Sequence, residues 1–188
     1  LDARLEGRRR ENRNPFPRTY DATLVDHADT LGEVAGDDEV ASGRTDLRHL
    51  PLVTIDPTDA KDFDDAVCLV DENGQRTLWV AIADVAHYVQ AGTALDRSAA
   101  ARATSVYLPH TVLPMLPPKL ADDLCSLRAG VDRLAMVVGM DLDDGNNVVN
   151  THAYEAVIHV EDNIAYGDLL ETDAYADMMA LAASWQPR

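Results

Sequence analysis

"DAVCLVDENGQRTLWVAIAD", residues 65–84, sets two apolar runs on either side of Asn73-Gly74. Asn-Gly tolerates positive φ at both centres of a two-residue turn, and the flanking runs are rich in Val, Leu, Trp and Ile, so the stretch predicts an antiparallel hairpin. Upstream, "LPLVTI" (50–55) reads as a buried strand. Downstream, "RLAMVVGMDLD" (133–143) and "VVNTHAYEAVIHVED" (148–162) surround the turn residues "DGNN" as a second hairpin. Between the hairpins, "LDRSAAARAT" (95–104) predicts an Ala-rich helix and "KLADDLCSL" (119–127) a short one. The prolines of "SVYLPHTVLPMLPP" (105–118) demand an extended passage. The tail "AYGDLLETDAYADMMALAASW" (165–185) predicts an amphipathic helix with Leu169, Leu170, Met178, Met179 and Leu181 as its apolar side. This order predicts an α+β fold with a largely antiparallel sheet and flanking helices.

Residues 1–49 read as a connector or peripheral helical segment, and 50–188 as the sheet-bearing domain. "LDARLEGRRRENR" is compatible with a helix that "NPFPR" ends, "DATLVDHADTLGEV" has helical spacing, and "AGDDEVASGRTD" reads as an acidic, loop-like joint. The chain begins with Leu and ends at "SWQPR", which suggests a piece of a longer protein.

With 46% apolar residues in 188, the chain can bury a sizeable core. It has no 18-residue apolar window for a membrane span and no apolar stretch behind its charged N-terminus for a signal peptide. Cys68 and Cys125 lie in apolar contexts and read as reduced core thiols, which suits the cytoplasm. A formal charge of −17 argues against a nucleic-acid partner. The basic residues, however, are nearly all Arg, with Lys61 and Lys119 the two lysines, and the acids are mostly Asp. That balance is common at high salt, where the Debye length falls to about 3 Å and net charge says little about local binding. The one basic cluster, Arg8 to Arg10 with Arg4, Arg13 and Arg18, reads as a solvated helix start, with a patch that contacts a nucleic-acid backbone as the alternative.

Immediately before the first hairpin, "TIDPTDAKDFDDAV" (54–67) packs Asp56, Asp59, Asp62, Asp64 and Asp65 into ten residues. Aspartates often punctuate turns and helix starts, which accounts for "DLDDG" and for Asp122-Asp123. The earlier run lacks glycine, follows directly from a strand and carries Phe63 as an apolar anchor. Carboxylates crowded near a core resist ionising together unless a cation offsets their charge. An all-oxygen set suits Mg²⁺ or Mn²⁺ rather than zinc. An EF-hand is excluded, because counting from Asp56 puts Lys61 at the glycine position and Val67 at the terminal glutamate position. Spacing alone leaves the run divided between turn punctuation and a Mg²⁺ site for phosphodiester hydrolysis.

Several collinear blocks carry a resemblance: "GRTDLRHLPLVTIDPTDAKDFDDAV", "LWVAIADVAHYV", "LDRSAAARATSVYLP", "VLPMLPPKLADDLCSL" and "VDRLAMVVGMDLD". Together they resemble the catalytic (RNB) domain of the ribonuclease II/ribonuclease R family, in its ribonuclease R branch. The resemblance implies a processive, hydrolytic 3′-to-5′ exoribonuclease that acts on single-stranded RNA 3′ ends and releases nucleoside 5′-monophosphates. It implies dependence on one or two Mg²⁺ (or Mn²⁺) ions. By motif, Asp56, Asp62, Asp64 and Asp65 match the metal-holding aspartates, Asp65 being the one whose loss stops cleavage, and Asp59 a loop residue. Tyr107 matches the tyrosine that stacks on a base near the RNA 3′ end. Asp84 and His87 read as structural, Tyr88, Tyr154 and Trp79 as packing aromatics, and His110, His152 and His159 as residues without a role. The family's "SPIRRY"-like second half, which supplies an arginine near the scissile phosphate, and its flanking cold-shock-type and S1-type barrels do not occur among these residues. The resemblance therefore implies an N-terminal portion of the domain, inactive by itself, with apolar surface exposed where the second half packs. A non-enzymatic RNA-binding or assembly module derived by truncation is the alternative. A generic Mg²⁺ phosphatase fits less well, because blocks far from the aspartates match too.

Overall fold

Asn73 and Gly74 adopt φ of 55° and 82°, the left-handed pair that a tight hairpin turn requires. They join two strands in continuous register from Asp65↔Ile82 to Glu72↔Gln75. The computed structural model describes residues 19–33, 36–169 and 175–186. Along the chain run α1 (Ala22–Thr30), α2 (Gly36–Ala41), β1 (Thr45–Asp46), β2 (Leu52–Asp56), β3 (Asp65–Glu72) and β4 (Gln75–Ala83). Then come α3 (Val85–Tyr88), α4 (Ala94–Arg102), β5 (Val106–Leu108), β6 (Thr111–Leu113) and a π-helical turn (Leu120–Leu124). β7 (Asp132–Leu142), β8 (Val148–Ala165), α5 (Tyr166–Leu169) and α6 (Ala176–Ser184) complete the order.

The described residues form two units, one of 19–33 with 85–124 and the other of 36–84 with 125–186. In the second unit β2, β3, β4, β7 and β8 pair successively antiparallel. The far part of β8 then returns to β2 in parallel, from Leu52↔Val160 to Asp56↔Ala165. The pairings therefore close into a five-stranded ring, with β1 parallel to β8 beside β2. Closure is partial: β2 meets β3 at the single pair Val53↔Val67, and β8 over 148–155 is paired on the β7 side alone. Ala83, Ala135 and Ala156 lie side by side in one buried row. On the outer face, Leu181 of α6 packs over Leu78 and Leu142, with Leu69, Val80 and Met140 around them.

Trp79 stands opposite Gly139 in register, tilted against Tyr154 at 6.0 Å between ring centres. A Cβ on Gly139 would sit 2.8 Å from the indole. Gly139→Ala is therefore expected to destabilise the protein by about 1–3 kcal/mol through overpacking, measured as a lower urea midpoint at unchanged slope.

The acidic joint corrects one expectation. "AGDDEVASGRTD" holds α2 rather than a loop, because Asp37, Asp38 and Glu39 fall in its first turn, where the helix dipole favours negative charge. Arg48 ties this corner to the ring through Asp37 (2.9 Å), Asp46 (2.7 Å) and Asp132 (3.1 Å). In the tail, helix is found over Tyr166–Leu169 and Ala176–Ser184. Leu181 is buried, but Met179, assigned to the apolar side, is exposed, and Leu170 lies outside the described residues. The segment 1–18 with its arginine cluster also lies outside them.

In the first unit, Asp21 caps α1 by accepting from the Thr23 amide at 2.9 Å, and Thr93 caps α4 through the Asp96 amide. The proline-punctuated passage is extended as expected and also folds on itself, β5 pairing with β6 around Pro109-His110. The guanidinium of buried Arg102 lies 4.0 Å over the Tyr20 ring and donates to the carbonyls of Thr19 and Pro114. No helix among the described residues is long and apolar enough to cross a membrane.

Candidate functional site

Asp56 is the last residue of β2 and Asp65 the first of β3, with Asp62 and Asp64 on the loop that joins them. The strands therefore bring Asp56 and Asp65 to one end of the ring, and the loop returns the other two carboxylates to the same end. The Ala83 amide donates to Asp64 O at 3.0 Å, the bond that flanks a non-hydrogen-bonded antiparallel pair. Asp65 and Ile82 form that pair, so their side chains stand close together on the outer face. Ile82 is in turn opposite Met136. Both apolar side chains are exposed, at 48% and 43%.

The carboxylates feel one another. Burial is the largest cause raising Asp64 above its ordinary value, followed by the charges of Asp62, Asp65 and Asp56. Asp56 is also raised, chiefly by burial and further by Asp65 and Asp62, against an opposing hydrogen bond from Thr54. Asp56 Oδ2 is buried without a hydrogen-bond partner, an arrangement that costs stability unless something positive faces the oxygen.

Among the described residues no three His, Cys, Asp or Glu side chains converge into a cage that could hold a metal unaided. Mg²⁺ seldom needs one: it keeps several waters and is held by one or two carboxylates together with substrate phosphate oxygens. The oxygen-only donor set, the mutual repulsion and the orphaned Asp56 oxygen fit such a hard cation. Thiolate ligation does not fit, because burial pushes Cys125 and Cys68 up to about 12 and keeps both as thiols.

A folded-state pKa above the unfolded value means that the folded chain holds the extra proton, so the ionised form costs stability above that range. In the cation-free protein at pH 7, Asp56→Asn and Asp64→Asn are therefore each expected to raise the melting temperature, Asp64→Asn the less because solvent screens its exposed side chain. The gain should vanish as pH falls to the ordinary carboxylate value of 3.8, which calorimetry across pH 4–7 checks.

Tyr107 lies in the other unit, on β5, with its ring 65% exposed. Asp84 is buried and ion-paired with Arg44 Nη2 at 2.7 Å, which gives it a structural place. His87 packs edge-on against Tyr88 with ring centres 4.8 Å apart. His159 pairs with Asp132 at 2.9 Å and His152 lies 3.4 Å from Asp141, both on β8.

Two supporting residues escaped the sequence reading. Ser126, fully buried, donates to Lys61 O (2.7 Å) and accepts from the Phe63 amide (3.2 Å). Asn163 of β8 donates to Thr54 Oγ1 (2.9 Å) and Leu127 O (3.1 Å), steadying the strand two residues before Asp56. Ser126 shows in the sequence only as a small polar residue inside the apolar block "LCSL", and Asn163, directly after Glu161-Asp162, carries no distinguishing signal.

Residues 44–175 match the RNB domain. The chain belongs to the RNB-domain family. Ribonuclease R of Escherichia coli strain K12 is 51% identical over 130 residues, covering 69% of this chain and 16% of that protein. Among solved structures, Mycoplasma genitalium RNase R in complex with ribose methylated single-stranded RNA superposes with a TM-score of 0.85 at 28% identity, over 97% of this chain and 30% of that one. The yeast pseudonuclease Ssd1 shares the fold with a TM-score of 0.71 at 21% identity, over 82% of this chain and 20% of that one. The chain thus spans about a sixth of the length of the curated relatives it matches. The common fold does not by itself decide the chemistry, which has to be argued from the site.

Proposed function

We propose that this chain supplies the metal-holding half of a hydrolytic 3′-to-5′ exoribonuclease site that degrades single-stranded RNA to nucleoside 5′-monophosphates. The observation that carries the reading is the set of four carboxylates gathered at one end of the ring, with a buried Asp56 oxygen left unsatisfied. Asp56, Asp62 and Asp64 would hold Mg²⁺ or Mn²⁺, one ion or two. A bound ion of this kind makes water a better nucleophile and neutralises charge on the phosphate.

The chain's own residues do the positioning. Asp65 opens β3, so the strand ladder sets its direction, and its exposed carboxylate can accept a proton-bearing contact from the attacking water. Asp62 and Asp64 sit on the loop, where their direction depends on what grips the loop. The exposed face of Tyr107 suits stacking on a base of any identity, worth about 1–3 kcal/mol, as an enzyme indifferent to sequence requires. The RNA complex of the Mycoplasma genitalium relative supports the substrate class. RNA-decay partners and a cytoplasmic setting belong to the same reading.

The test is a digest of uniformly labelled single-stranded RNA by the full-length protein, with products separated by chromatography. Nucleoside 5′-monophosphates and a shortening ladder are expected with Mg²⁺, and neither with excess EDTA. Internal cuts yielding oligonucleotides, or digestion indifferent to EDTA, would overturn the proposal.

A further inference from the structure

We infer that Ser126 is a positioning residue for the aspartate loop, its hydroxyl fixing the direction in which Asp62 and Asp64 face the cation; the inference rests on the metal-site reading above. Eight residues, 57–64, separate β2 from β3, without a glycine to make a compact turn. Within the loop the Ala60 amide bonds Pro57 O at 3.0 Å, which shapes its first half only. The half that carries the carboxylates is gripped from outside. Ser126 Oγ donates to Lys61 O at 2.7 Å and accepts from the Phe63 amide at 3.2 Å. The Leu127 amide donates to Phe63 O at 2.8 Å. These bonds hold the peptides on both sides of Asp62 and the residue just before Asp64.

The clasp is anchored to the ring. Ser126 O accepts from Arg133 Nε at 3.1 Å, and Arg133 is itself buried on β7. A hydroxyl that donates and accepts at once, with no exposure to water, is directional. It also opposes a real load, because Asp62 and Asp64 repel each other and a loosened loop would let them splay. Partners behind the ligands typically change metal affinity ten- to a hundredfold when removed, and Ser126 occupies that position for Asp62 and Asp64.

The test is Mn²⁺ binding to the full-length protein, followed by paramagnetic resonance of the free ion. Ser126→Ala is expected to weaken binding about tenfold, while Ser126→Thr, which retains the hydroxyl, restores much of the loss. Thr77→Val removes a side-chain bond to Asp141 (2.9 Å) near the opposite end of β4 and is expected to lower stability without moving Mn²⁺ affinity. Should Ser126→Ala fail to fold, Ser126→Cys, somewhat larger and a weaker donor, is expected to bind several-fold more weakly. Wild-type affinity in the Ala or Cys variant, or an equal loss in Thr77→Val, overturns the clasp. Absence of Mn²⁺ binding by the unsubstituted protein, or an Asp64→Asn variant that binds normally, overturns the metal-site reading instead.

Discussion

Asp65→Asn in the full-length protein is expected to reduce RNA hydrolysis by about a thousandfold or more, with affinity for single-stranded RNA changed by less than about threefold. Asn matches Asp in size, and the Asp65↔Ile82 pairing is carried by backbone atoms, so the strand start should keep its place. What disappears is a negative charge at a position set by the ladder rather than by the loop. Loss in kcat without loss in binding is the signature of a group that acts in the transition state. A single-turnover assay with gel-shift affinities measured beside it separates the two. Retained release of mononucleotides by the variant would remove Asp65 from the chemistry.

Leu52→Ala carries the largest expected effect on stability, about 2–5 kcal/mol, or a melting temperature lower by roughly 5–15 °C in a domain of this size. Leu52 is fully buried and stands opposite Val160, where β8 has left β7 and taken up β2. The register shifts between Leu52 and Val53, so the side chain fills the seam by which the ring closes. Truncation there leaves a cavity that the flanking strands, bonded on both sides, cannot collapse to fill. Urea denaturation gives the measure, and a loss under about 1 kcal/mol would mean that the seam is not part of the core.

That seam also marks where sequence reading stops. The Asn73-Gly74 hairpin was legible because a two-residue turn with two positive φ angles has few chemical solutions. The second hairpin and the Ala-rich helix follow from equally local rules. Ring closure does not. An alternating apolar pattern states which face of β8 is buried but not which neighbour pairs with which half, and β8 uses β7, β1 and β2 in turn. The pairing of β5 with β6 was hidden for a related reason, since proline spacing declares an extended backbone and not its partner.

The candidate site divides in the same way. The carboxylate cluster itself was readable, because five aspartates in ten residues are conspicuous. The conditions that make them usable were not. The orphaned Asp56 oxygen, the buried Ser126 hydroxyl some seventy residues downstream and the Asn163 amide on β8 depend on how distant parts of the chain come together. The exposed Ile82–Met136 pair next to Asp65 emerges only once the strand register is known.

The central claim is that the aspartate end of the ring holds a hard cation against the oxygens of the phosphate being cut. Replacing a non-bridging oxygen of the 3′-terminal linkage with sulfur tests it most directly, because Mg²⁺ binds sulfur poorly and softer Mn²⁺ tolerates it. With the full-length protein and single-stranded RNA, one phosphorothioate diastereomer is expected to be removed at least tenfold more slowly than the natural linkage in Mg²⁺ and to regain most of that loss in Mn²⁺. Equal rates for both linkages in Mg²⁺, or an equal slowing in both metals, would contradict it.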